Sequence, residues 1–455
     1  MTASTDVGPA GARRFGAAVA ASIVGFAFDL YDLFILLFVA SAVSELIFPA
    51  RSETLSLAAV YASFAVSLIM RPLGSFVFGP LADRLGRKRL LLVTTAGAGL
   101  STALMGAVPT FAVAGAAAPI GFILLRLIQG LFVGGIVAST HTLATETVPE
   151  NLRGAVSGLV GGGGPAVGAV LASVASLICH ALFPGAQFAV WGWRFMFFSG
   201  LLGAVLSYLL LRGAGEPASW QDHAVAGAST HTTVKSLFER GRRRTILTGV
   251  LVVSGAGTSY YLTSGYLPTV YQKFNKLDGG LASDFLICSS VVVAVGTVAA
   301  GALSEVWGRR RTLVLFGVID LVVVPSLYWV ITQLNAQSGP LILLYSLILV
   351  FLSNAIYGPA MIYLNELFPT RVRATGTAFL WNGGFAIGGL MTTFVTLASP
   401  TLADIPSRLA AFLFAWYVIF LIAVLVGPET IGRLERTAVT PVAEPSLAAA
   451  GEGPG

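Results

Sequence analysis

The chain is a succession of long apolar runs broken by short polar, often basic, interruptions. A run of about 20 mostly apolar residues suits a helix that crosses a bilayer. Read this way, the pattern predicts twelve helices, near residues 15–40, 57–81, 90–109, 119–140, 155–178, 195–211, 246–270, 284–303, 312–332, 341–364, 374–398 and 409–426. The stretch 98–140 is apolar almost throughout. It divides at Pro109 and Pro119, because proline marks helix ends more often than middles. The first run exceeds the core of a cleavable signal, about 7–15 residues, and no small-residue cleavage site follows it. It therefore reads as a span.

Composition narrows the class. Of 455 residues, 56% are hydrophobic and 11% charged, with a mean hydropathy of +0.83. A soluble domain carries about 25% charged residues, so a cytosolic enzyme and a secreted globule are excluded, and so is a disordered chain. Cys179 and Cys288 both lie in apolar runs, and the four histidines show no ligand spacing. Neither a disulfide framework nor a metal centre is expected. With no phosphate-binding loop and no nucleophile–base pair, an enzyme is not expected, nor any cofactor beyond the proton as coupling ion.

The net charge of +6 is explained by where the charges sit. Twenty of the 27 Lys and Arg fall in segments that share a side with the N-terminus. Five fall on the other side (Arg51, Arg194, Lys273, Lys276, Arg408), and Arg71 and Arg126 lie within spans. This asymmetry follows the positive-inside rule and predicts that both termini are cytoplasmic. The basic residues are topology determinants rather than a nucleic-acid surface.

The chain also repeats itself. Gly79, Asp83, Arg84, Gly86, Arg87 and Lys88 form one cytoplasmic loop; Gly301, Glu305, Gly308, Arg309 and Arg310 repeat the spacing 222 residues later. Glu146-x-x-Pro149-x-x-x-Arg153 recurs as Glu366-x-x-Pro369-x-x-x-Arg373, offset by 220. Two motifs with nearly one offset imply two six-helix halves. The predicted organisation is an N-terminal tail (1–14), a first bundle (15–211), a cytoplasmic linker (212–244), a second bundle (245–426) and a C-terminal tail (427–455). Parallel repeats with a site at their interface describe a transporter that rocks one half against the other.

These residues carry a resemblance. The G-x-x-x-[DE]-x-x-G-R-[RK] loops resemble the signature of the major facilitator superfamily. Phe28-Asp29-Leu-Tyr31-Asp32, Arg71-Pro72-Leu-Gly74, Arg126-Leu-Ile-Gln129-Gly130, Trp191-Gly-Trp193-Arg194 and Pro428-Glu429-Thr430 are similar to the metabolite:H⁺ symporter family within it, related to the sugar porters. The resemblance covers roughly residues 15–432. It implies an all-α integral membrane fold of twelve helices in two pseudo-symmetric bundles, acting in a bacterial inner membrane as a monomer. It also implies that Asp29 or Asp32 is linked to the proton.

Five ionisable residues fall within spans: Asp29, Asp32, Arg71, Arg126 and Asp320. A charge at the bilayer centre costs about 2.5–3.5 kcal/mol, so each is a functional candidate. Asp29 and Asp32 share a helix face, and at ~1.5 Å per residue they reach the depth of Arg126. An Asp–Arg pair across spans 1 and 4 is expected. A carboxylate in a drying cavity holds its proton more firmly, and a guanidinium opposes this. Protonation would release Arg126 to an anionic substrate. The alternative is a structural ion pair. Arg71 either joins the substrate site or bonds backbone at the Pro72 break, and Asp320 is expected to have a structural partner.

The remaining substrate-site candidates are Gln129 in span 4, Tyr260, Tyr261 and Tyr266 in span 7, and Asn354, Tyr357, Trp381 and Asn382 in spans 10 and 11. Such side chains pair an apolar body with a polar tip, as ligand pockets require. The repeated loops are expected to form a gate, with Glu146–Arg153 and Glu366–Arg373 as matched pairs. The function expected is a proton-coupled symporter importing a small organic anion or zwitterion, a carboxylate metabolite, by alternating access. Gly161-Gly-Gly-Gly164-Pro165 in span 5 partly resembles an antiporter motif, so an efflux antiporter is the alternative. Close helix packing explains the same glycines.

Overall fold

The computed structural model describes residues 9–85, 87–134, 152–202, 204–205, 209 and 243–433. Glu146, Gly86, the residues from 210 to 242 and the chain ends lie outside these. The side chains of Asp29, Asp83, Arg84, Arg87 and Lys88, and the surroundings of Gly79, lie outside the description as well, although their backbones are helical.

Among the described residues the long helical segments are α1 Pro9–Leu46, α2 Glu53–Leu85, α3 Arg87–Ala107, α4 Ala117–Gly134, α5 Arg153–Leu182, α6 Phe188–Leu202, α7 Arg243–Phe274, α8 Gly279–Trp307, α9 Arg309–Gln333, α10 Ala336–Glu366, α11 Thr370–Leu397 and α12 Ile405–Val426, with a single helical turn, Phe111–Ala114, between α3 and α4. Among the described residues, nine helices are long and apolar enough to cross a membrane. Most helices overrun the apolar stretch that predicts them. α2, expected over 57–81, spans Glu53–Leu85, and α1 already runs from Pro9, inside the expected tail. The apolar run marks the bilayer thickness, whereas backbone hydrogen bonding continues into the polar layer. The break at Pro109 and Pro119 is present. α3 stops at Ala107, and Pro119 sits in the first turn of α4, where a missing N–H costs nothing.

One expected loop is not a loop. Gly301–Trp307 is helix, and the join between α8 and α9 is the single residue Gly308 at φ +98°. Only glycine adopts that conformation readily. Glu305 and Arg309 therefore face each other as an i,i+4 pair across the corner, at 3.0 Å.

The helices sort into two groups by contact. α1 packs on α2 and α5, α2 on α4, and α3 on α4 and α6; α7 packs on α11 and α12, α9 on α10 and α12, and α8 on α10. The groups meet where α2 lies on α11 and α5 on α8. The repeated loops equate α2 with α8, and hence α5 with α11, so exchanging the halves exchanges these two contacts. Small residues make the second contact close: Gly154 sits on Gly301 and Gly158 on the Thr297 carbonyl, leaving no room for a Cβ. Large apolar side chains such as Val174, Val295, Val322 and Phe414 are exposed around the outside, facing where lipid belongs.

Candidate functional site

A small cavity lies between the two groups. The first group supplies Leu30 from α1, Arg71 from α2, and Gly161, Gly162 and Pro165 from α5; the second supplies Tyr260 and Tyr261, Val293 and Thr297, Asn354 and Tyr357, and Trp381, Asn382 and Phe385. α5 widens into a π turn over Leu159–Gly163 before Pro165, and Gly162, which packs on Thr297 of α8, also forms cavity wall. Opposite Arg71 stands an aromatic wall. Ring centroids lie 5.7 Å apart for Tyr260–Tyr357, 6.0 Å for Tyr357–Trp381 and 4.6 Å for Trp381–Phe385. The Tyr357 hydroxyl donates to the Ala256 carbonyl at 2.7 Å, which holds its ring against the cavity. Asn354 is anchored by Ser264 and Ser353, each at 3.1 Å. Among the described residues, Arg71 is the only formally charged side chain in this lining.

Seven of the predicted residues thus converge: Arg71, Tyr260, Tyr261, Asn354, Tyr357, Trp381 and Asn382. Three do not line the cavity. Arg126, fully buried in α4, donates to Gln129 Oε1 at 2.6 Å, and Gln129 Nε2 donates to Thr102 at 2.6 Å. Both therefore sit inside the first bundle. Tyr266 donates to or accepts from Thr396 at 3.0 Å and stacks on Tyr61 at 4.9 Å, further toward the Lys273 end. For Asp32 the direct bond to Arg126 expected across α1 and α4 is not made, and Arg126 bonds Gln129 instead; the same expectation for Asp29 falls on a side chain outside the described residues. Arg126 Nε and Nη2 have no hydrogen-bond partner. Asp32, itself buried, and Arg71 both lie within electrostatic reach of Arg126.

Two closures flank the cavity. At one end Lys273 bonds both Glu45, at 2.9 Å, and Glu53, at 2.6 Å. Below this, Gln272 donates to the Phe38 carbonyl at 3.3 Å and Tyr61 bonds Thr269 at 2.8 Å. These side chains join the two bundles, so the cavity is shut on that side. Sequence reasoning took Lys273 only as a topology charge and passed over Glu45, Glu53 and Tyr61. Nothing local marks a pair 228 residues apart in the chain.

At the other end Arg309 is buried between Glu305, Ser304 and both oxygens of Glu366. Thr430 donates to Glu366 at 2.7 Å. The expected Glu366–Arg373 pair is therefore not made: Glu366 goes to Arg309, and Arg373 Nε donates to the Phe368 carbonyl at 3.3 Å. The helical extension of α8 carries Arg309 inward, which brings it to Glu366 first. Glu429 accepts from the backbone N–H groups of Arg309 and Arg310, a carboxylate on the positive end of α9. Arg310 Nη2 reaches the Leu425 carbonyl. Glu305 also accepts from the Gly154 N–H of the first bundle, and Ser157 donates to the Gly358 carbonyl at 3.2 Å.

Known proteins are similar to this chain in sequence and fold. The chain is 28% identical over 415 residues to the inner membrane metabolite transport protein YhjE of Escherichia coli, covering 90% of this chain and 93% of that protein. It is 27% identical over 396 residues to the citrate-proton symporter of Klebsiella pneumoniae, covering 86% of each. The solved D-xylose-proton symporter matches with a TM-score of 0.71 at 20% identity, over 90% of this chain and 98% of that one. Residues 17–393 match the family model described as Major Facilitator Superfamily. Two groups of helices around a shared cavity agree with that match, which covers most of the chain and shows that it belongs to the Major Facilitator Superfamily of transporters.

Proposed function

We propose that the protein is a proton-coupled symporter that imports a small organic anion or zwitterion, a carboxylate metabolite, by alternating access. The observation that carries this reading is the cavity itself: one guanidinium, Arg71, on the first bundle faces an aromatic and amide wall on the second. A carboxylate matches the planar fork of arginine, and aromatic faces accept an apolar or cationic remainder. The substrate contact thus moves from Arg126 to Arg71, and Arg126 serves the proton side.

Asp32 and Arg71 each act electrostatically on Arg126. Protonation of the acid on α1 would change the field at Arg126 and, through it, at Arg71. Asp29, one turn away, shares this role. The relatives named above include a citrate-proton symporter, which supports both the coupling ion and the carboxylate. Each charge moved inward gains ~2.3 kcal/mol per 100 mV, roughly 50-fold accumulation. The interchangeable contacts α2–α11 and α5–α8 supply the rocking axis, and the Lys273 and Arg309 clusters the two gates. The protein works as a monomer in the bacterial inner membrane with both termini cytoplasmic.

The test is transport in proteoliposomes under an imposed pH gradient, with labelled citrate, other small carboxylic acids and betaines as probes. Uptake driven by an acidic exterior supports symport. Exit of the same probe under that gradient supports the antiporter, and transport indifferent to the gradient removes the proton.

A further inference from the structure

Asn354 carries one hydrogen-bonding atom that the protein does not use. The residue is 0% exposed and lines the central cavity from α10. Its Nδ2 lies 2.8 Å from the Val350 carbonyl and 3.1 Å from the hydroxyls of Ser264 and Ser353. A carbonyl only accepts, so the nitrogen must take that position and the amide cannot be turned over. Oδ1 is thereby fixed on the other side of the amide, and among the described residues it has no hydrogen-bond partner. The backbone explains why this side chain sits at the cavity. The α-helix ends at Ala355 and resumes at Tyr357, because Pro359 offers no N–H to the Ala355 carbonyl. Asn354 stands at that break.

A buried acceptor without a donor is costly, and a ligand that brings the donor removes the cost. The surroundings restrict what that ligand is. Among the described residues the lining holds no carboxylate, so a positively charged group there rests on the amide oxygen and on the rings of Tyr260 and Tyr357. Resting on the carboxylate reading above, we propose that Asn354 sets the specificity of the cavity: the substrate bears, besides its carboxylate, an N–H or O–H donor that Asn354 Oδ1 accepts. Arg71 takes the carboxylate and Asn354 the donor. Primary and secondary ammonium zwitterions and hydroxy acids meet this requirement. Quaternary betaines and carboxylates without a hydroxyl do not, because they leave a buried oxygen of the site unpaired.

Calorimetry on the full chain in detergent at neutral pH tests this with two pairs of probes. Proline and N,N-dimethylproline are both zwitterions, and only the first has N–H groups. Citrate and tricarballylate differ by one hydroxyl. The wild type is expected to bind the donor-bearing member at least about tenfold more tightly in one pair or both. Asn354→Leu, similar in size, should weaken binding of that member and shrink the ratio. Should that variant not fold, Asn354→Thr returns a hydroxyl donor to the Val350 carbonyl without an amide oxygen, and should shrink it likewise. Asn382→Leu removes the other amide of the lining and should lower the affinity of both members alike, keeping the ratio. Equal affinities within both pairs in the wild type overturn the inference and leave the carboxylate reading standing. A ratio that survives the loss of the Asn354 amide, or that vanishes only with Asn382→Leu, overturns it too. Binding of none of the four probes overturns the carboxylate reading, and this inference with it.

Discussion

The Lys273 ammonium lies 2.6 Å from a Glu53 carboxylate oxygen, tying the end of α7 to the start of α2 across the two bundles. Glu45 at 2.9 Å completes a three-residue clasp. Glu45 and Glu53 remain 63% and 42% exposed, so each pair contributes only about 0.2–1 kcal/mol. That is the right size for a gate that must open in every cycle. Lys273→Met is expected to shift the closed-to-open ratio by about fivefold toward open on that side. The measurement is the labelling rate of Phe385→Cys, in a background lacking Cys179 and Cys288, by an impermeant thiol reagent added from the Lys273 side. A Lys273→Glu, Glu53→Lys exchange should restore the slow rate; equal rates in all three proteins would remove the clasp from gating.

Arg71 and Arg126 should separate by phenotype. Arg71 lines the cavity, so Arg71→Gln removes a charged hydrogen-bond donor worth about 1.5–3 kcal/mol. Binding of a carboxylate probe should weaken by at least about tenfold, read by calorimetry. Arg126→Lys puts a compact ammonium where the guanidinium now donates from Nη1 to Gln129. It should affect the pH dependence of binding more than binding at acidic pH. The reverse pattern would return the substrate contact to Arg126.

Asp32→Asn, and separately Asp29→Asn, is expected to abolish accumulation driven by a pH gradient in at least one case while leaving exchange of labelled for unlabelled probe partly intact. Exchange needs only the rocking motion, whereas accumulation needs the proton. Undiminished accumulation in both single variants would exclude both acids from coupling.

Glu366 and Arg309 are each only 2% exposed at the side chain. Removing one member of a buried pair costs about 3–5 kcal/mol, because the other charge is left uncompensated. Glu366→Ala should therefore lower the thermal midpoint measurably in detergent. Arg373→Ala should have a smaller effect, since Glu366 does not bond it. A larger loss in the Arg373 variant would restore the pairing read from the spacing alone.

Gly308→Ala carries two penalties. Its φ of +98° is unfavourable for a side chain, by about 1–3 kcal/mol, and the added Cβ would lie 2.8 Å from Glu429 Oε2. The midpoint should fall, and the Glu429 cap on α9 should loosen, visible as faster proteolysis after Val426. An unchanged midpoint would show that the corner tolerates another conformation.

Most of the helices and the two halves were legible because membrane insertion writes itself locally: apolar length, proline position and repeated loop spacing all reside within one segment. The cavity was partly legible for the same reason, as Tyr260, Tyr357 and Trp381 are polar aromatics in otherwise apolar runs. Thr297 and Phe385 carry no such mark. Gln129 and Tyr266 carry it but are spent on Thr102 and Thr396. Glu366 and Arg373 look paired at seven residues, yet the single-residue corner at Gly308 delivers Arg309 to Glu366 first.

The amino-acid order alone therefore determined that this chain spans a membrane in two related bundles, and which ionisable groups the bilayer must bury. Hydrophobic length and charge asymmetry act on each segment independently. Tertiary structure decided which of those groups lines the cavity, which bond to neighbours, and that Asp320 has no hydrogen-bond partner among the described residues. Those outcomes depend on helix rotation and on contacts between residues hundreds of positions apart, and no local pattern encodes them.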